Sequence, residues 1–118
     1  MSSVASHRVR VDRGPIVCDR CVLATSAWLR TRGLLGRAGM ESGEGLWIQP
    51  TNSIHMLFMR FAIDVVWASQ DGRVLKLVQG LGPWKMSGCR GAKIALEVPT
   101  GTIQESGVRV GDHLIIER

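Results

Sequence analysis

Residues 51–67 have the sequence TNSIHMLFMRFAIDVVW, and the rest of the chain is easiest to place around this run. From residue 59 onward every second side chain is large and apolar, while the side chains between them are mostly small or apolar. Such an alternation, rich in β-branched and aromatic residues, predicts a β-strand. Because both faces carry apolar residues, we predict that residues 59–67 form a strand in the middle of a sheet or in the wall of a barrel.

Asp64 places a carboxylate on the second face of this strand, between Ala62 and Val66. A buried carboxylate has to find a cation or hydrogen-bond donors. Arg60 is four residues away, about 13 Å along a strand, which is too far for a direct ion pair. We therefore expect Asp64 to meet Arg32, Arg37 or a loop amide.

The size and composition of the chain indicate one soluble domain covering residues 1–118. A length of 118 residues supports a single core, and 45% hydrophobic with 21% charged residues is typical of globular proteins. No apolar run approaches the ~20 residues of a membrane span, and residues 1–14 contain no signal-like apolar segment. Three cysteines, a small and odd number, argue against a disulfide framework. The expected location is cytoplasmic, without a membrane span.

The net charge of +5 is concentrated in the first third of the chain. Residues 1–37 contain seven basic and two acidic side chains, whereas residues 38–118 contain eight of each. A basic region of this kind could attract phosphates, but proteins that bind nucleic acid usually interleave aromatic residues with the basic ones. Only Trp28 is available here, so the pattern argues against nucleic acid and favours a solvated basic face.

Short apolar segments separated by glycine and proline turns predict the other strands. A hairpin is expected over residues 7–23, and Ser26 can cap a short helix at about residues 26–36. The fold class is predicted to be mainly β: a compact β-sandwich or small barrel of short, mostly antiparallel strands with this one helix. The remaining expectations are strands at 45–49, 65–69, 73–79, 92–98 and 113–117, a helical turn at 102–106 and an irregular loop at 80–91.

Cys18 and Cys21 have the spacing of many metal and redox sites. Within a predicted strand, however, residues three apart point to opposite faces, and a four-ligand site would need Cys89 and a histidine from distant loops. The sequence favours two ordinary cysteines, one buried and one at the surface. A metal or redox role remains an alternative.

His55 could act as a general base or contact a ligand. It lies nine residues before Asp64, about 30 Å if all of these residues are extended, so the two could meet only if the chain bends at residues 56–58. Glu97 on a later strand raises the same question. An enzyme that uses His55 with Asp64 or Glu97 is therefore a second alternative.

Several segments, in this order and spacing, resemble the prokaryotic family catalogued as domain of unknown function 192, over residues of about 23–116. The segments are RGLLGR (32–37), GLWI (45–48), FMRFAIDVVW (58–67), DGRV (71–74), ALE (95–97) and GVRVGD (107–112). The resemblance implies a compact, mainly-β domain with one or two short helices and no established activity. Cys18 and Cys21 lie outside the matched region. Many members begin with a signal peptide or a lipid anchor, and the absence of such a segment here argues against a periplasmic role.

The best-supported hypothesis is a small, non-enzymatic ligand-binding module for a small-molecule or polymeric ligand, with no catalytic residue, metal or cofactor assigned. Its expected site is the concave surface formed by Asn52, His55 and Asp64 with the loop at 80–91. The candidate ligand-binding residues, all at positions that match the family, apart from His55, are Asn52, His55, Met59, Asp64 and Glu97. The residues expected to have structural roles are Arg32, Gly111 and Asp112.

Overall fold

The computed structural model describes residues 7–24 and 37–117. Within these ranges lie nine strands and one short helix. In chain order they are β1 (His7–Val11), β2 (Ile16–Ala24), β3 (Glu44–Ile48), β4 (Ser53–His55), β5 (Ile63–Ala68), β6 (Val74–Leu81), β7 (Met86–Gly88), β8 (Ile94–Pro99), α1 (Thr102–Ser106) and β9 (Leu114–Glu117).

Seven of these strands form one sheet in the order β6-β5-β8-β3-β2-β1-β9. All neighbouring pairs are antiparallel except β2 and β3, which are parallel. Strands β4 and β7 pair with each other in a separate two-stranded sheet. The described part of the chain is therefore mainly β, as the sequence predicts.

The two outer strands of the seven-stranded sheet, β6 and β9, meet near their first residues. Arg73 and His113 form an isolated antiparallel bridge. The amide of Leu114 donates to the carbonyl of Gly72 at 2.9 Å. These contacts form a seam that brings the two edges of the sheet together, so the architecture resembles a small barrel more than a sandwich.

The two faces of the sheet carry separate apolar clusters. The first cluster lies inside the curved sheet and also includes Ile103 of α1. The second lies on the outer face, where the β4–β7 sheet and the residues that follow β4 cover β3, β5, β6 and β8. Ile54, Met56 and Met59 belong to this cover and contribute their side chains to the outer cluster.

All six residues of β5 are buried, which confirms that this strand is covered on both faces. It lies between β6 and β8, one strand in from an edge of the sheet. The N-terminal part of the predicted strand 59–67 is wrong, because β5 begins at Ile63. The chain turns first: Phe58 has a left-handed backbone with φ 65°, and the amide of Met59 donates to the carbonyl of Met56 at 3.2 Å.

The helix predicted at about residues 26–36 lies outside the described residues, and so does Arg32. The helical turn predicted at 102–106 is present as α1. The segment 80–91 is more regular than expected, since it contains the end of β6 and the whole of β7.

Candidate functional site

The two-stranded sheet carries the candidate site at one end. In its register His55 pairs with Met86, and the chain then turns on both sides of the sheet. The two turns are tied together, because the amide of Met56 donates to the carbonyl of Lys85 and the amide of Trp84 donates to the carbonyl of Met56, both at 2.8 Å. These bonds fix the positions of the side chains that the turns present.

Phe58 and Trp84, one from each turn, form an exposed aromatic pair. Their ring centroids are 5.0 Å apart and the ring planes meet at 61°, an edge-to-face arrangement. The side chains are 67% and 59% exposed. Both residues have a left-handed backbone, with φ 65° and 67°. Bulky side chains rarely adopt this conformation, and such strain is concentrated at functional sites.

Two further apolar side chains extend the aromatic pair. Met86 is 74% exposed and Leu57 is also exposed. We call Leu57, Phe58, Trp84 and Met86 the aromatic patch. Because Ile54 points into the outer apolar cluster, its neighbours on β4 point outward, which leaves a polar strip beside the patch.

The two chain segments that contribute the aromatic patch carry positive charge and no carboxylate. Residues 45–63 and 72–96 contain no aspartate or glutamate, yet they contain six lysine or arginine side chains and His55. Lys85 lies between Trp84 and Met86 in sequence, Arg60 is two residues after Phe58, and both are exposed. The excess of positive charge found here is thus separate from the one in residues 1–37.

Of the predicted ligand-binding residues, the structure places Asn52 and His55 on this exposed sheet. His55 is exposed on β4, next to the patch. Asn52 is exposed at the other end of β4 and lines a cavity of about 190 Å³ with Pro50, Thr51, Ala92 and Lys93. Both positions are open to a ligand.

Met59, Asp64 and Glu97 are buried and do not join this surface. Met59 packs in the outer apolar cluster. Asp64 lies opposite Val98 in the register of β5 and β8, whereas Glu97 lies opposite Val65, so the two acids are on opposite faces of the sheet. The structure therefore does not bring His55 together with either acid.

The partners of Asp64 are backbone amides. Its Oδ1 accepts a hydrogen bond from the amide of Gly80 at 2.9 Å, and its Oδ2 accepts bonds from the amides of Gly101 and Ile103, each at 3.1 Å. The expected arginine Arg37 instead binds Glu44, with Nη2 2.7 Å from Oε1. Of the expected partners, the loop amide is the one observed.

Gly111 and Asp112 shape the turn that leads into β9. Gly111 has φ 97°, a conformation that glycine adopts without strain. The amide of Arg109 donates to Oδ2 of Asp112 at 2.8 Å. Both residues thus stabilise local backbone in the way their types suggest.

Cys18 and Cys21 are both buried and both belong to the inner apolar cluster. The expectation that they point to opposite faces is wrong, because β2 contains a β-bulge. The consecutive amides of Asp19 and Arg20 both donate to the carbonyl of Gly43, at 3.0 and 2.9 Å. An extra residue of this kind reverses the alternation of faces. Among residues 7–24 and 37–117, no three His, Cys, Asp or Glu side chains are grouped so that they could hold a metal ion.

Phe58 is not among the predicted site residues, and Trp84 and Met86 are included only as part of the loop at 80–91. Phe58 directly precedes the run that predicts a strand, and a Trp in a glycine-rich loop is usually a buried anchor. The signal that could have found them is the absence of acidic residues in the same two segments. Apolar residues that share a surface with unbalanced cations are candidates for a binding site.

A protein-family profile matches most of the chain. The profile described as DUF192, Uncharacterized ACR, matches residues 9–116. The chain belongs to the DUF192 family. The resemblance seen in the sequence is therefore confirmed, and the match begins at residue 9 instead of 23, so that Cys18 and Cys21 lie within it.

Relatives of this DUF192 protein carry the name UPF0127. One from Pyrococcus furiosus is 43% identical over 63 residues, which are 52% of this chain and 53% of that protein. One from Thermococcus sibiricus is 29% identical over 112 residues, 90% of this chain and 71% of that protein. The match thus spans about half the length of the first relative.

Two crystal structures share the fold. A Sinorhizobium meliloti protein, described as a candidate transcription regulator, superposes with a TM-score of 0.82 at 24% identity, covering 98% of this chain and 97% of that one. A Novosphingobium aromaticivorans protein of unknown function gives 0.78 at 20% identity, covering 95% and 84%. At these identities the likeness concerns the fold alone. No helix within residues 7–24 and 37–117 is long and apolar enough to cross a membrane.

Proposed function

We propose that this DUF192 protein is a non-enzymatic binding module and that its ligand, an acidic carbohydrate, lies across the aromatic patch. The observation that carries the proposal is the exposed pair of Phe58 and Trp84 in left-handed backbone. A left-handed conformation costs a residue with a side chain about 1–2 kcal/mol. Burial does not offset this cost, because both rings face solvent. A contact with a ligand would offset this cost.

The chemistry of the surface supports an acidic sugar. Aromatic faces stack against the apolar faces of sugar rings, and Arg60 and Lys85 supply cations for carboxylate or sulfate groups. His55 and Ser53, which point outward from β4, can exchange hydrogen bonds with hydroxyl groups. This mixture of neutral polar groups and few cations suits a ligand with moderate charge.

A calorimetric titration tests the proposal. An oligosaccharide of uronic acids is compared with a neutral glucan and with an oligothymidylate. We expect the uronic-acid oligosaccharide to bind and the neutral glucan to bind at least about tenfold more weakly, the equivalent of ~1.4 kcal/mol. The oligothymidylate also tests the regulator role described for the Sinorhizobium meliloti protein.

Substitution of the two aromatic residues by glycine separates binding from folding. Phe58→Gly and Trp84→Gly should each weaken binding at least about tenfold. Their stability should stay the same or rise by up to about 1 kcal/mol, because glycine removes the strain of the left-handed backbone.

Val110→Ser is the matched control. Val110 is 62% exposed and lies away from the patch, in the turn before β9. The Val110→Ser variant should bind the uronic-acid oligosaccharide as the unmodified protein does. If no acidic oligosaccharide binds, or if the glycine variants bind it normally, the proposal is wrong. Binding of oligothymidylate alone would reject the carbohydrate, and it would retain the patch as the site only if the glycine variants also lose this binding.

A further inference from the structure

The β-bulge in β2 places two thiols side by side inside the barrel. Cys18 and Cys21 lie opposite Val9 and His7 of β1, which are only two residues apart. The bulge thus shortens the separation of the two cysteine Cα atoms to about 6.6 Å, two residue rises of a strand. This distance is within the range of about 4.4–6.8 Å that disulfides span.

Gly45 on the neighbouring strand β3 leaves room for the two sulfurs. A Cβ atom at this position would lie 2.7 Å from the Sγ of Cys18 and 3.5 Å from the Sγ of Cys21. A buried glycine in the interior of a strand often marks such a close approach. Both sulfurs therefore occupy the same small space above Gly45.

The two cysteines differ in their position relative to a cavity. Cys18 lines a cavity of about 240 Å³ together with Asp19, Ser42, Thr102 and Glu105. Cys21 is fully buried. The pKa of its thiol is raised far above the usual value, mainly by its hydrogen bond with Cys18 and secondly by burial. Cys21 thus keeps its proton, and because Cys18 but not Cys21 lines this cavity, we expect a small solute to reach Cys18 first.

We propose that Cys18 and Cys21 are a dithiol that hydrogen peroxide converts into an internal disulfide. The sulfur of Cys18 attacks one peroxide oxygen; the O–O bond breaks, an S–O bond forms, and water leaves with the thiol proton. The sulfur of Cys21 then attacks the sulfur of the sulfenic acid. The S–O bond breaks, the S–S bond forms, and the proton of Cys21 leaves with hydroxide as a second water. Two thiols are oxidised and one peroxide is reduced to two waters.

A disulfide suits this site better than a metal ion. Two thiolates with a monovalent soft cation would leave a net negative charge inside the apolar cluster, near Asp19 and Glu105. A disulfide is neutral and apolar. The product therefore fits the interior of the barrel.

The test uses the full chain, reduced and then treated with one equivalent of hydrogen peroxide before alkylation. Free thiols, counted after denaturation, should fall from three to one. Trypsin cleaves after Arg20, between the two cysteines, so peptides 14–20 and 21–30 should be recovered as a linked pair that dithiothreitol separates.

Three variants check the assignment. Cys89→Ser should form the same linked pair. In Cys21→Ala, dimedone should trap a sulfenic acid at Cys18, whereas Cys18→Ala should give no adduct at Cys21. The proposal is overturned if all three thiols of the native protein survive peroxide, if the link includes Cys89 or joins two chains, or if it forms only after denaturation. Because these three outcomes are measured on the unmodified protein, they decide the matter even if a variant does not fold.

Discussion

Asp64 connects β5 with two other parts of the chain. Helix α1 begins after Gly101, which has no side chain to cap the helix, and the amides of Gly101 and Ile103 turn instead to Oδ2 of Asp64. Its Oδ1 binds the amide of Gly80 at the end of β6. A residue distant in sequence thus satisfies the free amides of a helix N-terminus.

Removal of this carboxylate should be costly for stability. Asp64→Ala leaves three backbone amides without their acceptor, and we expect a loss of about 3–5 kcal/mol in the free energy of unfolding. Asp64→Asn retains one acceptor oxygen and should lose less. Urea denaturation measures both variants. A loss below about 1 kcal/mol for Asp64→Ala would show that water replaces the carboxylate easily.

Glu44 gives a prediction about pH. The Arg37 guanidinium holds the pKa of the Glu44 carboxyl below its usual value, with help from the amide of Glu41. A lowered pKa in the folded state stabilises the protein above the unfolded value of about 4.3, and this contribution is lost as the pH falls through the folded pKa.

Glu44→Gln should therefore destabilise the protein at pH 7 and become neutral in acid. The expected loss is about 0.5–1 kcal/mol, since Arg37 is partly exposed and solvent screens the pair. Urea denaturation of both proteins at pH 7 and at about pH 3 checks this. Glu105→Gln on α1, where the described residues form no ion pair, is the control and should show no such difference. An equal loss at both pH values would contradict the prediction.

At the scale of the elements, the sequence predicts the strands that carry long patterns. Six consecutive residues of β5 are buried, and alternation over residues 59–67 was enough to find the strand, although it did not show the turn at Phe58. Strands β4 and β7 have three residues each, which is too short for an alternation of apolar and polar side chains to be recognised. Their pairing, which builds the aromatic patch, is a tertiary property.

The bulge in β2 shows a second limit of prediction from the sequence. An alternating pattern predicts which side chains share a face only if no residue is inserted. In β2 two exposed residues, Asp19 and Arg20, separate two buried cysteines, and this doublet is the local sign of the insertion. The position of the carbonyl of Gly43, which both amides share, depends on a segment that is distant in sequence.

At the scale of the whole molecule, ion pairs balance part of the charge of the N-terminal third. Arg8 and Arg10 both bind Glu117 of β9, at 3.0 and 2.8 Å. Arg37 binds Glu44. The first and last strands are therefore held together by charge as well as by backbone hydrogen bonds. The positive charge of the two segments that contribute the aromatic patch, residues 45–63 and 72–96, is not balanced by any carboxylate within these segments.

Closure of the barrel depends on the seam between β6 and β9, and Gly72 tests it. Gly72 has φ 95°, and a Cβ atom there would lie 2.7 Å from the carbonyl oxygen of Leu114 across the seam. Gly107 also has positive φ, 74°, but a Cβ atom would meet no other group within 4 Å. Both glycines thus have a left-handed backbone that would strain an alanine, but only Gly72 lies against the opposite side of the seam.

Gly107→Ala should cost about 1 kcal/mol, the strain of the left-handed backbone alone. Gly72→Ala should cost about 2–4 kcal/mol, because the clash with Leu114 adds to that strain and pushes β6 and β9 apart. Urea denaturation measures the difference, and hydrogen exchange of the Leu114 amide, which donates to Gly72, should accelerate in Gly72→Ala only. Equal losses of unfolding free energy in the two variants would contradict the prediction. They would mean that the contact between β6 and β9 contributes little to stability.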